Sequence, residues 1–427
     1  MKMKYYRFPE NRITKIGFAA FLFAILMLCR DTLITSSIIG FYKATFISYG
    51  FIALVGIGFL WVNRKNLKDI LLDERMLLAL VATVIFVVPM LAKQDWQLLY
   101  FSILICIYLA IFLSYFVSLE EMGKVYVVII TLLGAWSCLS TYALKPLTEN
   151  GILNVPVFSN GMLDFYNFGL SYSPIRTSIY DMQTYRNFGI FREPGVYQFF
   201  IIMALILNNY LINWNKKETI WLVNILLAIT MLTTFATGGV IELGLLAIVL
   251  YLDKKWYKNK TICICSILAF LALAAIVIYS CISKNVLFSV MQQAVRKLVN
   301  FNPTTSGGVR VQSILVDMQI FMNNPVFGER LRNVMFVEGL EFNTTSTMIL
   351  LAGYGFFAGS FHVISWIALL WDRNRRAWVN LALILIMFMS FNTQDLSADM
   401  FLWLFPIMAM AEKGIPFVKT LRSKGKV

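Results

Sequence analysis

The chain is a succession of apolar runs separated by short polar gaps, and that pattern limits what it can fold into more than any single motif does. A helix that crosses a bilayer needs about 20 apolar residues, somewhat fewer where flanking Lys and Arg reach the headgroups. Runs of this kind near 16–30, 46–62, 76–92, 97–117, 125–144, 195–212, 219–236, 238–252, 261–282, 346–371, 379–391 and 399–412 predict about twelve spanning helices. Of the 427 residues, 59% are hydrophobic and 14% charged, whereas soluble domains are typically about 45–50% apolar and about 25% charged. The expected fold is therefore an all-α integral membrane protein, with 1–427 forming a single polytopic membrane domain. The first run lacks a small-x-small cleavage site and reads as a first span, not a signal peptide.

Net charge is +14. On a soluble protein this would suggest nucleic acid; here the Lys and Arg lie in the gaps between runs, which is a topology signal. With the N-terminus inside, the inner segments hold 24 of the 37 Lys and Arg residues, and the short outer loops are nearly free of them. Both termini are thus expected to be cytoplasmic. The basic C-terminal tail (Lys413, Lys419, Arg422, Lys424, Lys426) is expected to face anionic membrane lipids, and no nucleic-acid partner is expected. Two long segments, 145–194 and 283–345, then fall on the outer side. Loops above about 15 residues are uncommon unless functional or disordered, and these carry Phe, Tyr, Leu and Ile throughout. Amphipathic stretches at 286–299 and 311–322 predict helices in the second loop, the latter ended by Asn323-Asn324-Pro325, so the outer loops are expected to be partly helical. No internal repeat suggests an inverted-repeat transporter. The six cysteines lie in or beside apolar runs and read as small buried residues.

Chemistry concentrates in the outer loops. Arg186-Asn187-Phe188-Gly189-Ile190-Phe191-Arg192-Glu193-Pro194-Gly195 packs two Arg and a Glu just before the sixth span. Pro194 fits the first position of a helix, which aims Arg192 and Glu193 at the helix mouth. Ser306-Gly307-Gly308-Val309-Arg310 opens the second amphipathic helix, where Gly307 and Gly308 let backbone amides approach an anion. The dipole disfavours Arg310 there, and a bound anion would remove that penalty. Glu242 is a carboxylate within the eighth span, a functional candidate by default. Each feature also has a bland reading: an interfacial anchor in which Arg192 and Glu193 pair, a hinge before a surface helix, a carboxylate hydrogen-bonded at the interface. His362, the single histidine, reads as structural within a span. No Walker loop, outer carboxylate pair or metal-ligand spacing is present, so neither a metal nor a cofactor is expected.

These motifs, in this order, resemble bacterial O-antigen polymerases and O-antigen ligases. The resemblance rests on Arg186-x-x-Gly189-x-x-x-Glu193-Pro194, then Gly308-Val309-Arg310 with its amphipathic helix, Asn324-Pro325-Val326-Phe327-Gly328, and Asn343 through Gly353-Tyr354-Gly355. It covers roughly residues 125–371. The spacing from Arg296 to Gly307 also fits an Arg-x10-Gly pattern of the polymerases. Two departures matter. The ligases carry a loop His where this chain reads Glu341-Phe342-Asn343-Thr344, which favours polymerase. The Ser-Arg pair that often precedes the span near 238 is here Ala236-Thr237.

The resemblance implies transfer of a growing glycan from undecaprenyl diphosphate to a lipid-linked repeat unit at the outer leaflet of the bacterial plasma membrane. A chain-length regulator is an implied partner. Arg186, Arg192 and Arg310, with Gly307 and Gly308, would hold the diphosphate without metal. Glu193 would act as base or orient Arg192. Arg296, Glu242 and Asn343 are further candidates, and the aromatics of 158–191 could stack on sugars. The alternatives are an O-antigen ligase and a non-enzymatic lipid-linked glycan flippase or exporter.

Overall fold

The computed structural model describes residues 12–27, 29, 31–35, 73–160, 163–175, 184–260, 306–336 and 343–414, with scattered positions in 50–57 and 264–283. The expected spans near 46–62 and 261–282, the stretch 286–299 and Arg296 lie outside the described residues.

The described chain is mostly helical. Its helices are α1 Arg12–Met27, α2 Arg75–Lys93, α3 Leu98–Leu113, α4 Leu119–Leu139, α5 Pro194–Tyr210, α6 Lys217–Thr233, α7 Thr237–Asp253, α8 Ser306–Asn323, α9 Leu331–Met335, α10 Ser346–Tyr354, α11 Phe356–Leu370, α12 Ala377–Phe391 and α13 Met400–Ala409. A π-helical turn, Ser140–Leu144, carries α4 on into Lys145–Glu149. By length and apolarity, α2 and the continuous Leu119–Glu149 are long enough to cross a membrane, while α3, α11 and α12 are apolar but shorter.

Two helices form the centre. All ten residues of α13 and nearly all of α5 are buried, as expected for helices that are apolar all round. Around them, α5 packs on α4, α6, α7 and α12, and α13 on α3, α4 and α11. The outer helices are apolar on their free faces too: Leu77, Leu80 and Val84 of α2, Leu222 and Ile225 of α6, and Leu381 of α12 are all exposed.

The connections gather at two ends. At one, Arg75 donates to the Ser114 carbonyl (2.7 Å), the Leu119 amide to Glu412 (2.7 Å), the Asn213 amide to Glu120 (3.1 Å) and Arg375 to the Tyr210 carbonyl (3.2 Å). At the other, residues 31–35, 186–194, 234, 310 and 393–395 meet.

Two local expectations are corrected. The segment 145–194 contains a three-stranded antiparallel sheet, β1 Val157–Ser159, β2 Asp164–Asn167 and β3 Tyr172–Pro174. Short apolar alternation and asparagine turns explain it: Asn160 Oδ1 accepts from Leu163 N (2.8 Å), and Asn167 Oδ1 from Gly169 N (2.9 Å), with Gly169 at φ +81°. Phe165 and Tyr172 pack with Leu33 and Phe188 in a small core, so these rings hold the loop together and do not form an open platform for sugars.

The expected single span 346–371 is two helices, broken at Gly355 (φ +83°). The break admits the 325–329 turn against the backbone: Phe356 N donates to Pro325 O (2.8 Å) and Glu329 N to Ala352 O (2.7 Å). A Cβ on Gly355 would lie 2.1 Å from the Val326 oxygen. Gly355→Ala should therefore lose roughly 2–5 kcal/mol, combining backbone strain with overpacking. A lower unfolding temperature of the purified protein in detergent is the check.

Candidate functional site

The stretch Arg186–Glu193 is shaped by one pinned side chain. Buried Asn187 donates through Nδ2 to Ser137 Oγ (2.9 Å) and Thr233 Oγ1 (3.0 Å), and its Oδ1 accepts from Gly189 N (2.9 Å). Gly189 (φ +57°) makes the turn against the Tyr197 ring, where a Cβ would come within 2.7 Å. This geometry sends Arg186 toward the α6–α7 turn, where its Nε donates to the Thr234 carbonyl (3.1 Å). The same backbone run pairs with the segment after α1: Leu33 N donates to Ile190 O (2.8 Å), Arg192 N to Asp31 O (3.0 Å), and Thr32 bridges Phe191.

Arg192 lies between two carboxylates. Its Nε donates to Asp31 Oδ1 (2.7 Å) and its Nη1 to Glu193 Oε1 (3.1 Å). Burial alone would lower its pKa, but Asp31 and Glu193 outweigh that and hold it above the usual guanidinium range. Pro194 opens α5 as expected, with Glu193 as its N-cap residue. The second Glu193 oxygen, Oε2, accepts from Gln394 Nε2 (3.0 Å), so both oxygens are engaged.

Arg310 projects from the second turn of α8, whose first turn contains Gly307 and Gly308. Its Nε donates to the Thr393 carbonyl (2.9 Å). Among the described residues no carboxylate stands in ion-pair contact with it. Burial lowers Arg310 from its usual value, opposed by Glu193 and Glu242. Burial likewise lowers Arg186, to about 10; Glu193 opposes this and Arg310 adds to it. The two guanidiniums, far apart in sequence, are thus close enough to repel. Glu242 lies fully buried on α7, facing Ser390 of α12 and within reach of the Arg310 field.

The structure therefore brings Arg186, Arg192, Glu193, Arg310 and Glu242 to one end of the bundle. It places Asn343 in an adjoining cluster instead. Asn343 Nδ2 donates to Asp317 Oδ1 (2.6 Å) and to Val334 O (3.2 Å), and Thr345 Oγ1 to Asp317 Oδ2 (2.8 Å). Asp317 is fully buried. Burial raises its carboxyl to about 7; Thr345 and Asn343 oppose the shift and Asp395 adds to it. An unfolded carboxyl titrates near ~3.9. Between these values the folded protein binds more protons, so this group's contribution to stability falls as pH rises through about 7 and is level above it. Asp317→Asn should flatten that slope, by an amount on the order of a few kcal/mol. Unfolding temperatures in detergent at pH 5 and pH 8, for both proteins, are the check.

Sequence reasoning missed Asp31, Gln198, Thr393, Gln394 and Asp317. The strongest available signal was Asn392-Thr393-Gln394-Asp395, a polar run between two apolar helices. Gln198 Nε2 donates to Thr393 Oγ1 (2.9 Å), and Ser346 Oγ donates to Gln394 O and accepts from Leu396 N (2.8 Å each). Gly195 makes room for Gln394, whose Nε2 would lie 2.8 Å from a Cβ there.

The arrangement brings two guanidiniums and an anchored carboxylate to one end of the bundle, chemistry suited to a multiply charged anion. Among the described residues no His, Cys, Asp and Glu group has metal-site geometry. No family model matches the chain, and neither a curated protein nor a solved structure does.

Proposed function

We propose that the chain is a polytopic membrane polysaccharide polymerase of about twelve spanning helices, with both termini cytoplasmic. It transfers a growing glycan from undecaprenyl diphosphate to a lipid-linked repeat unit at the outer leaflet of a bacterial plasma membrane. The apolar free faces of α2, α6 and α12 support the membrane setting. The activity reading is supported by the placement of Arg186 and Arg310 at the same end of the bundle, on the Thr234 and Thr393 carbonyls, beside Glu193, a cationic grouping suited to a diphosphate.

The reaction asks little acid catalysis of the protein. As the glycosidic C–O bond breaks, its electron pair goes to the lipid diphosphate, and charge grows on the phosphate oxygens. Arg186 and Arg310 meet that charge, and no metal is needed. The acceptor hydroxyl oxygen bonds the released sugar carbon. Its proton passes to Glu193 through Oε2, the oxygen that Gln394 holds in the resting protein. Arg192 acts as a positioning residue, holding Glu193 against Asp31.

A glycan flippase and an O-antigen ligase are the competing readings. Lipid-linked glycans from cells lacking the protein separate them. Polymerase loss leaves single repeat units at the outer leaflet. Absence of all units there points to a flippase, and normal chains retained on the lipid carrier point to a ligase.

A further inference from the structure

The opposite end of the bundle contains a cavity of about 610 Å³ that the proposed transfer does not use. It forms where the C-terminal ends of α5, α7 and α11 meet the turn before α12 and the residues after α13. Four cations line it, Lys254, Arg375, Arg376 and Lys413, against two carboxylates, Asp253 and Asp372. Its deeper wall is apolar, with Ile206, Leu207, Leu369 and Leu370.

Three of the four cations are held by the fold. Arg375 donates to the Leu370 carbonyl (3.0 Å) and the Tyr210 carbonyl (3.2 Å), and its guanidinium lies 4.5 Å from the Tyr210 ring centroid. The Lys254 ammonium lies 5.3 Å from the centroid of the same ring. Lys413 donates to the Leu369 carbonyl (3.2 Å). Burial lowers Lys413 below the usual ammonium range; Asp372 opposes this, and repulsion from Arg375 adds to it. The Tyr210 hydroxyl, in the same wall, faces Asp253, while Arg375 Nη2 stands 4.0 Å from Asp372 Oδ2. An excess of cations over carboxylates and a volume typical of ligand pockets suit one compact anion.

We propose that this pocket binds a phosphate group, carried either by the headgroup of an anionic membrane lipid or free in solution. A lipid would place its phosphate among Lys254, Arg375, Arg376 and Lys413, with its apolar part toward the Ile206 wall. The proposal is independent of the transfer site, and its failure would leave that reading untouched.

The test uses the full chain in nanodiscs and two double variants. Lys254→Ala/Arg376→Ala removes two exposed cations of the pocket; Lys258→Ala/Lys260→Ala removes two exposed cations outside it. Native mass spectrometry counts phosphatidylglycerol retained from mixed phosphatidylcholine–phosphatidylglycerol discs. Titration with inorganic phosphate in pure phosphatidylcholine discs measures the free anion. The wild type and the control variant should retain at least one more phosphatidylglycerol than the pocket variant, or bind phosphate at least tenfold more tightly. Lipid retention alone identifies a lipid headgroup, and phosphate binding alone a soluble phosphate. Equal losses in both double variants, or no loss in either, overturn the proposal. Should the pocket variant unfold in phosphatidylcholine discs, Arg376→Ala alone carries the same comparison.

Discussion

Arg310→Ala should slow glycan transfer by about 100–1000-fold, the usual effect of removing one preorganised donor from developing negative charge. Cells carrying it should accumulate single lipid-linked repeat units. The protein should still fold, because among the described residues the hydrogen bond of the Arg310 side chain is that of Nε to the partly buried Thr393 carbonyl. Arg310→Lys keeps the charge but loses the planar fork, and should recover only part of the rate. Quantitative gels of surface polysaccharide, normalised to protein level, read the effect. A full-length ladder from Arg310→Ala at normal protein level would remove this residue from the site.

Replacing Arg192 should act through stability. Asp31 is fully buried and Arg192 is its ion-pair partner, with a side chain 27% exposed. Removing one member of a buried pair typically costs about 3–5 kcal/mol, because the other charge is left uncompensated. Partial exposure of Arg192 puts Arg192→Met near the lower end, about 3 kcal/mol. Asp31→Asn/Arg192→Met should recover most of this loss, since it removes both charges together. Unfolding temperatures of the four proteins in detergent complete the cycle. Equal losses in the double and single variants would show that the Arg192–Asp31 pair is not the source of the effect.

The difference between Arg192 and Arg310 explains what the sequence could reveal. Helix positions were legible because apolar runs and Pro194 follow directly from span length and helix-start chemistry. The approach of Arg186 and Arg310 was legible only as shared topology, since both loops fall at the same end. What the residues touch was not legible. Asp31 lies far from Arg192 in sequence, and only the pairing of Leu33 with Ile190 and of Thr32 with Phe191 brings them together. The break at Gly355 was hidden for a related reason. An apolar run through Tyr354-Gly355-Phe356 reads as one helix, and nothing local announces that the 325–329 turn must pack there. Asn160 and Asn167–Gly169, by contrast, were readable turn signals, and their side-chain bonds to Leu163 N and Gly169 N accompany the sheet in the first loop.

The most direct test of the proposed diphosphate site is transfer by the purified full-length protein in proteoliposomes, supplied with undecaprenyl-diphosphate-linked repeat units and a metal chelator. The wild type should release undecaprenyl diphosphate and build a ladder of longer lipid-linked chains, while Arg186→Ala and Arg310→Ala each leave single units. Movement of intact units across the bilayer without release of undecaprenyl diphosphate would contradict the account, as would undiminished release by both variants.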